Sequence, residues 1–352
     1  MKVKFSKSLL DISEIKKDFL SDNENLISRT KRLNEIYNNQ PIRKFCKNCA
    51  TKIDIQENKF DFKNHEVEYH ICPECGHLNG SKEDTKEFTE YLYKSEGGTN
   101  YSSNYLKNYN ERIKKIYLPK ANYLADSLNN IAKISSYEVD DFGCGGGHFV
   151  NALFSIGIKS RGYDISQDLI SLASDFWINS EFKDMKNPFK KVDSEDALIY
   201  KIKTTKSMVV CFIGVLEHLR NPEMAIKAFI ESDAKYIFFS VPLFSLSVFI
   251  ENVFNNSFPR QLTPGHTHLY THESIDYICN NYKLKKISQW HFGTDSMDFR
   301  RSLMVECAKN KTSQKAINLL KDKYFNTNIM DQFQKILDSN FAGSETHMLL
   351  SK

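Results

Sequence analysis

The spacing of apolar residues changes period several times along this chain, and each change marks an element. Residues 1–40 are polar and rich in Lys and Asn, with a helix-compatible pattern that predicts one or two packed helices. Between 41 and 84, Phe60, Phe62, Val67 and Tyr69 alternate loosely, the period-two signal of a short β ribbon. Helical spacing returns from Lys86 to Asn130. There Tyr101, Tyr105 and Tyr109 stand four apart, Tyr117 and Tyr123 follow, and Gly97-Gly98 breaks the stretch into two helices.

From Val139 to about Cys307, short apolar runs alternate with amphipathic stretches, which predicts a doubly wound α/β domain. One strand ends at Asp141 and the next at Asp164; within Ser207–Pro222 an apolar run of buried-strand type ends in Glu217-His218 before a helix-starting Asn221-Pro222, and Tyr236–Val241 reads as the fifth strand, followed by an apolar flap. The third is the poor match: between Asp184 and Lys203 only Ala197-Leu198-Ile199-Tyr200 offers a run, and Asp196 beside it is the candidate for meeting an adenine edge. Residues 309–352 read as one or two helices and a final His347-Met348-Leu349-Leu350 strand able to pair with the sheet edge. The predicted units are a helical arm (1–40), a ribbon (41–84), a helical connector or cap (85–130), an α/β core (131–308) and C-terminal helices with an edge strand (309–352).

Composition narrows what these units do. Basic residues number 48 against 44 acidic ones, a net charge of +4 without the concentrated basic face of a nucleic-acid binder. The most apolar stretch, Tyr236–Phe254, is interrupted by Pro242 and serines and falls short of the ~20 residues that span a bilayer. The first ten residues carry basic side chains but no sustained apolar core or small-residue cleavage site. A cytoplasmic protein is expected.

Cysteine placement adds a metal. Cys46-Lys-Asn-Cys49 and Cys72-Pro-Glu-Cys75 are two C-x-x-C pairs separated by 22 residues. Each pair forms a tight knuckle, and two facing knuckles supply the four thiolates that tetrahedral zinc prefers. An iron site on the same sulfurs and a pair of redox disulfides are the alternatives. Four thiolates leave no open position, so a structural zinc is expected, with His65, His70 and His77 as spare candidates outside the ligand set. The other cysteines, Cys144, Cys211, Cys279 and Cys307, sit singly and read as buried side chains.

The dozen residues Val139–Val150 carry the strongest chemistry. A strand ends in Asp141 and runs into alternating Gly143, Gly145 and Gly147, where the absence of side chains lets a backbone approach a ligand closely. Asp164, in R-G-Y-D-I-S, follows Gly143 by 21 residues, the spacing at which the next parallel strand offers a carboxylate to a ribose diol. The loop reads G-C-G-G-G-H-F rather than G-x-G-x-x-G, so it does not fit a dinucleotide pyrophosphate. It resembles the nucleotide loop of class I S-adenosylmethionine-dependent methyltransferases, and Val215-Leu216-Glu217-His218-Leu219-Arg220-Asn221-Pro222 resembles the end of their fourth strand.

That resemblance implies a Rossmann-like seven-stranded sheet that binds S-adenosylmethionine through Asp141, Gly143, Cys144, Gly145, Gly147, Asp164, Ile165 and Gly214. It also implies an acceptor pocket lined by the segment after the fifth strand, G-H-T-H-L-Y-T-H-E-S-I, where Thr271 or Ser274 starts a helix. Methyl transfer requires an aligned acceptor and removal of its proton, a task suited to histidine. His266 and His268 are the general-base candidates, with Glu217 and His218 as alternates; Tyr101, Tyr105, Arg112 and Tyr270 are candidates for touching ligand. H-x-H is also a metal-like spacing, though no carboxylate partner set is evident in the sequence.

A paired C-x-x-C ribbon ahead of a class I core is similar to the deoxysugar C-methyltransferases, which act on nucleotide-linked keto-sugars and generally carry a further C-terminal domain. Only about 45 residues follow the core here. The expected acceptor is therefore a small molecule, a sugar or nucleotide-linked sugar, methylated on oxygen or carbon. Two other readings stand beside it: an RNA methyltransferase with a zinc-binding recognition domain, and a non-catalytic scaffold that keeps the cofactor fold.

Overall fold

The computed structural model describes residues 1–9, 22–54, 59–92, 106 and 108–352. Gly97-Gly98, Tyr101 and Tyr105 lie outside these described residues.

Eight described strands form the main sheet: β1 (Lys2–Phe5), β5 (Val139–Phe142), β6 (Ser160–Asp164), β7 (Phe189–Lys191), β8 (Val209–Ile213), β9 (Tyr236–Pro242), β11 (Lys285–Phe292) and β12 (Glu345–Ser351). Their order is β1-β11-β12-β9-β8-β5-β6-β7. All neighbouring pairs are parallel except those of β12, which runs antiparallel to both β9 and β11. The fold is an α/β, Rossmann-like doubly wound sheet, with β1 added to the expected seven strands.

The sheet is apolar on both faces because helices cover both, so its strands read as nearly continuous hydrophobic runs. In β9, Ile237 and Phe239 face one core with Ile226 and Phe229, while Phe238 faces the other with Phe149 and Leu153. The covering helices start on side-chain caps. Ser166 accepts from the Leu169 amide to open Gln167–Ile178, and Ser194 accepts from Ala197 to open Glu195–Lys203.

Three expectations need correction. The third strand is β7, and Ala197–Tyr200 lies in the helix Glu195–Lys203. Leu198 and Ile202, four apart, are the buried positions of that helix, whereas β7 is an edge strand with two exposed lysines and no apolar run. In the expected helical arm, Lys2–Phe5 is a strand; K-V-K-F carries the period-two pattern at too short a length to stand out. β12 is not an edge strand but an interior one, consistent with its buried run from Thr346 to Ser351.

A second sheet joins the ribbon to the core. β2 (Phe62–Asn64), β3 (Val67–Ile71) and β4 (Leu78–Gly80) form the antiparallel ribbon, and β10 (His268–Leu269), from the histidine-rich segment, pairs antiparallel with β4. Phe62 packs edge-on against Phe244 and Phe249, the latter on the helix Leu246–Val253 that forms the apolar flap.

Candidate active site and cysteine cluster

The chain leaves β5 for β6 and β7 on one side and returns to β8 and β9 on the other, so the carboxyl ends of β5 and β8 flank a topological switch point, where open parallel sheets bind ligands. The glycine loop fills that point. Gly143 and Gly147 have φ of +77° and +78°, and a Cβ would meet Val215 at 2.6 Å in the first case and Phe189 at 2.5 Å in the second. Conformation and crowding both demand glycine there.

Asp164 closes the loop from β6. Its Oδ2 accepts from the Gly145 amide at 2.9 Å and its Oδ1 from the Ser166 amide at 2.8 Å, which locks the carboxylate plane. Burial raises its pKa, opposed by these backbone N–H groups. Asp141 is fully buried, and its Oδ1 has no hydrogen-bond partner among the described residues. Burial, with Asp164 and Asp140 nearby, pushes its pKa well up. An unpaired buried carboxylate oxygen beside a backbone cradle calls for a cationic donor. Cys144 is buried and its thiol is also pushed up by burial, which suits a packing role. Ile165 and Gly214 are exposed at the same edge.

Tyr109 is the residue that pattern reading leaves within a packing stripe. Its hydroxyl donates to the Gly146 carbonyl at 2.7 Å and accepts from Asn151 at 3.1 Å, and its ring stacks on Phe176 with centroids 3.6 Å apart. A spacing of four from Tyr105 gives no sign of this role; only the fold brings Tyr109 over the glycine loop. Arg112 lies beside it, partly buried. Asp196 is exposed in the first turn of its helix, and the acid that follows the true third strand is Asp193, paired with Lys191 at 3.6 Å.

The acceptor-side candidates separate into two groups. Glu217, His218 and His266 converge: one donor atom from each lies within 4.8 Å of the others. Glu217, on the turn Leu216–His218 after β8, is 4% exposed, and its Oε2 has no partner among the described residues. Burial pushes its pKa up to about 8. His218 Nδ1 donates to the Gly265 carbonyl at 3.0 Å, and His266 Nδ1 to the Gln261 carbonyl at 2.7 Å. Burial lowers these imidazoles to about 4 and about 3. His268 turns away from them in its hydrogen bonding, its Nδ1 lying 2.7 Å from His77 Nε2 at the ribbon seam. Tyr270 is buried against His77 and His268, and burial raises its pKa.

The four cysteines cluster as expected, with Cys46–Cys75 and Cys49–Cys72 sulfurs 3.7 and 3.6 Å apart. Sulfurs bound to one zinc at about 2.3 Å stand about 3.8 Å apart at tetrahedral angles. The Asn48 amide and the Asn79 side chain donate to Cys46 Sγ. Contact with Cys75 holds the Cys46 thiol down at about 5 while Cys75 is raised, the asymmetry of sulfurs competing for one proton. The first knuckle is anchored in the core: Lys47 pairs with Asp84 and donates to the Leu219 carbonyl at 2.9 Å, and Asn48 donates to the Ser274 carbonyl at 3.0 Å.

Sheet order and the glycine loop at the switch point define a Rossmann-like α/β protein. The family described as Methyltransferase domain matches residues 109–289, just over half of the 352 residues. The chain belongs to that family and is a methyltransferase.

Similar solved structures include magnesium protoporphyrin IX methyltransferase from Synechocystis PCC 6803 with bound SAH, at 13% identity, TM-score 0.48, 76% of this chain and 100% of that one. The plantazolicin methyltransferase BamL with an analogue and SAH is 14% identical, with TM-score 0.45 and coverage of 75% and 94%. Coclaurine N-methyltransferase with N-methylheliamine and SAH is 11% identical, with TM-score 0.40 and coverage of 66% and 70%. No sequence among the curated proteins matches the chain. Among the described residues no helix is long and apolar enough to cross a membrane.

Proposed function

We propose that this chain transfers the methyl group of S-adenosylmethionine to a small-molecule acceptor, a sugar or nucleotide-linked sugar, with the four cysteines holding a structural zinc. The observation that carries the reading is the constellation of Asp141, the glycine loop and Asp164 at the switch point. Asp164, its plane fixed by two amides, presents its remaining lone pairs to vicinal ribose hydroxyls. Asp141 supplies the unpaired oxygen for an α-ammonium group, and Tyr109 holds the loop from above.

S-adenosylmethionine, when bound, supplies an electrophilic sulfonium methyl group. The protein's part is to orient the acceptor and take its proton. The convergence of Glu217 and His218, after β8, with His266 supports these three as the groups that do so. The sulfur spacing supports zinc, and four thiolates make it a folding element. β10 belongs to the ribbon's sheet, so the histidine-rich segment is fixed in place. The balanced charge favours a sugar-like acceptor over RNA.

Calorimetric titration with S-adenosylmethionine and its demethylated product, beside an Asp164→Ala variant, tests the reading. Micromolar binding that the variant loses supports it; absence of binding to zinc-replete protein overturns it in favour of a scaffold. Nucleotide sugars and RNA, offered in parallel with labelled methyl donor, then separate the two acceptor classes.

A further inference from the structure

We propose that Glu217, His218 and His266 form a second metal site, one that binds a divalent transition ion at the acceptor side of the pocket. Two imidazoles and a carboxylate on one face are a donor set for zinc, iron or manganese, and unlike the cysteine cluster they leave coordination positions open. The three donor atoms lie within 4.8 Å of one another. Ligands of one ion at about 2.1 Å stand at most about 4.2 Å apart, a span close to the one these atoms keep.

Three features show that the site is built. A carbonyl oxygen only accepts, so the bonds of His218 to Gly265 and of His266 to Gln261 place hydrogen on Nδ1 in both rings and make Nε2 the lone-pair nitrogen. Backbone carbonyls that fix the tautomer in this way are the usual outer support of a metal-bound histidine. His218 Nε2 is 4.0 Å from Glu217 Oε1, which sets an imidazole nitrogen beside the carboxylate. Glu217 Oε2 is buried without a partner among the described residues, an arrangement that a cation satisfies. Both histidines are partly exposed, which gives an ion its entry.

The site follows from these residues alone; its role rests on the methyl-transfer reading. An ion held here takes an oxygen of the acceptor at an open position and acidifies a hydroxyl, or the C–H beside a carbonyl, so the acceptor carries a hydroxyl or an enolisable carbonyl. With the ion bound the three residues act as ligands rather than as the base, and the proton leaves to solvent water.

Cobalt is a suitable probe. Protein with zinc in its cysteine site is dialysed against Co²⁺, and both metals are counted per chain. The expected result is one zinc and one cobalt, with weak visible bands of a nitrogen–oxygen set and no thiolate charge-transfer absorption. Glu217→Gln and His266→Ala each lose the cobalt and keep the zinc, and the retained zinc shows that the fold survives. No cobalt beyond zinc, thiolate absorption, or equal cobalt uptake by both variants would overturn the site. Cobalt binding without S-adenosylmethionine binding would sustain the site and remove only its assigned role.

Discussion

His77 Nε2 and His268 Nδ1 meet at 2.7 Å across the seam between the cysteine ribbon and the acceptor-side segment. One ring must donate and the other accept, and burial keeps both neutral by lowering their pKa values well below the usual range. Deleting one partner strands the other in a dry junction, at a cost of about 1–3 kcal/mol. His77→Ala is therefore expected to lower Tm by several degrees in a thermal scan while S-adenosylmethionine affinity stays within twofold. An unchanged Tm would show that the seam is not held by this bond.

Asp141 illustrates a conflict between binding and stability. Burial, then the charges of Asp164 and Asp140, raise its pKa, so its contribution to stability is fully present below the ordinary carboxylate range and is lost as pH rises toward the folded value. Asp141→Asn removes that penalty. Its Tm is expected to exceed the parent's at pH 7, with the gap narrowing as pH falls toward 4. Affinity for S-adenosylmethionine is expected to drop at least tenfold, about 1.4 kcal/mol. Equal affinity in the two proteins would remove Asp141 from the cofactor site.

Gly143 offers a steric test. Alanine there combines a φ of +77° with a Cβ only 2.6 Å from Val215, on the turn after β8. A left-handed alanine alone costs about 1–2 kcal/mol, and the clash adds to it. Gly143→Ala is expected to lose most cofactor binding, and Gly143→Ala combined with Val215→Ala to recover only the part due to crowding, as read by calorimetry.

What is legible in the sequence follows from what each signal depends on. The glycine loop, Asp164 beside it and the clustering of the four cysteines are readable because backbone conformation and short C-x-x-C spacing are local demands. β7 is not, because an edge strand with Lys190 and Lys191 exposed has no need of an apolar run. Glu217 and His218 stand out as alternates for the base, but their convergence with His266 joins a turn after β8 to a segment almost fifty positions further on. His268 looks equivalent to His266 in the sequence; the pairing of β10 with the ribbon is what turns it toward His77.

Tyr109 bridges the helical connector and the glycine loop. Tyr109→Phe keeps the stack on Phe176 but removes the bond to the Gly146 carbonyl, a loss of about 1 kcal/mol. S-adenosylmethionine binding is expected to weaken about fivefold in titration, and Tyr109→Ala, which also empties the stack, to weaken it much further. Similar values for both variants would assign the effect to the hydroxyl alone.

Removing the proposed zinc from the cysteine cluster is expected to be felt at the histidine-rich segment before the glycine loop. The cluster fixes two knuckles; the first carries Lys47 and Asn48 to the Leu219 and Ser274 carbonyls, and the second leads directly into β4. β4 in turn holds β10 through the Leu78–Leu269 and Asn79–His268 pairs, while the glycine loop and Asp164 rest on β5 and β6 of the main sheet. A strong chelator is therefore expected to speed hydrogen exchange at residues 67–80 and 267–270, leave β8 and β9 protected, and abolish methyl transfer while S-adenosylmethionine affinity changes less than threefold. Collapse of cofactor binding in step with the loss of protection would show that the ribbon supports the whole pocket rather than its acceptor wall.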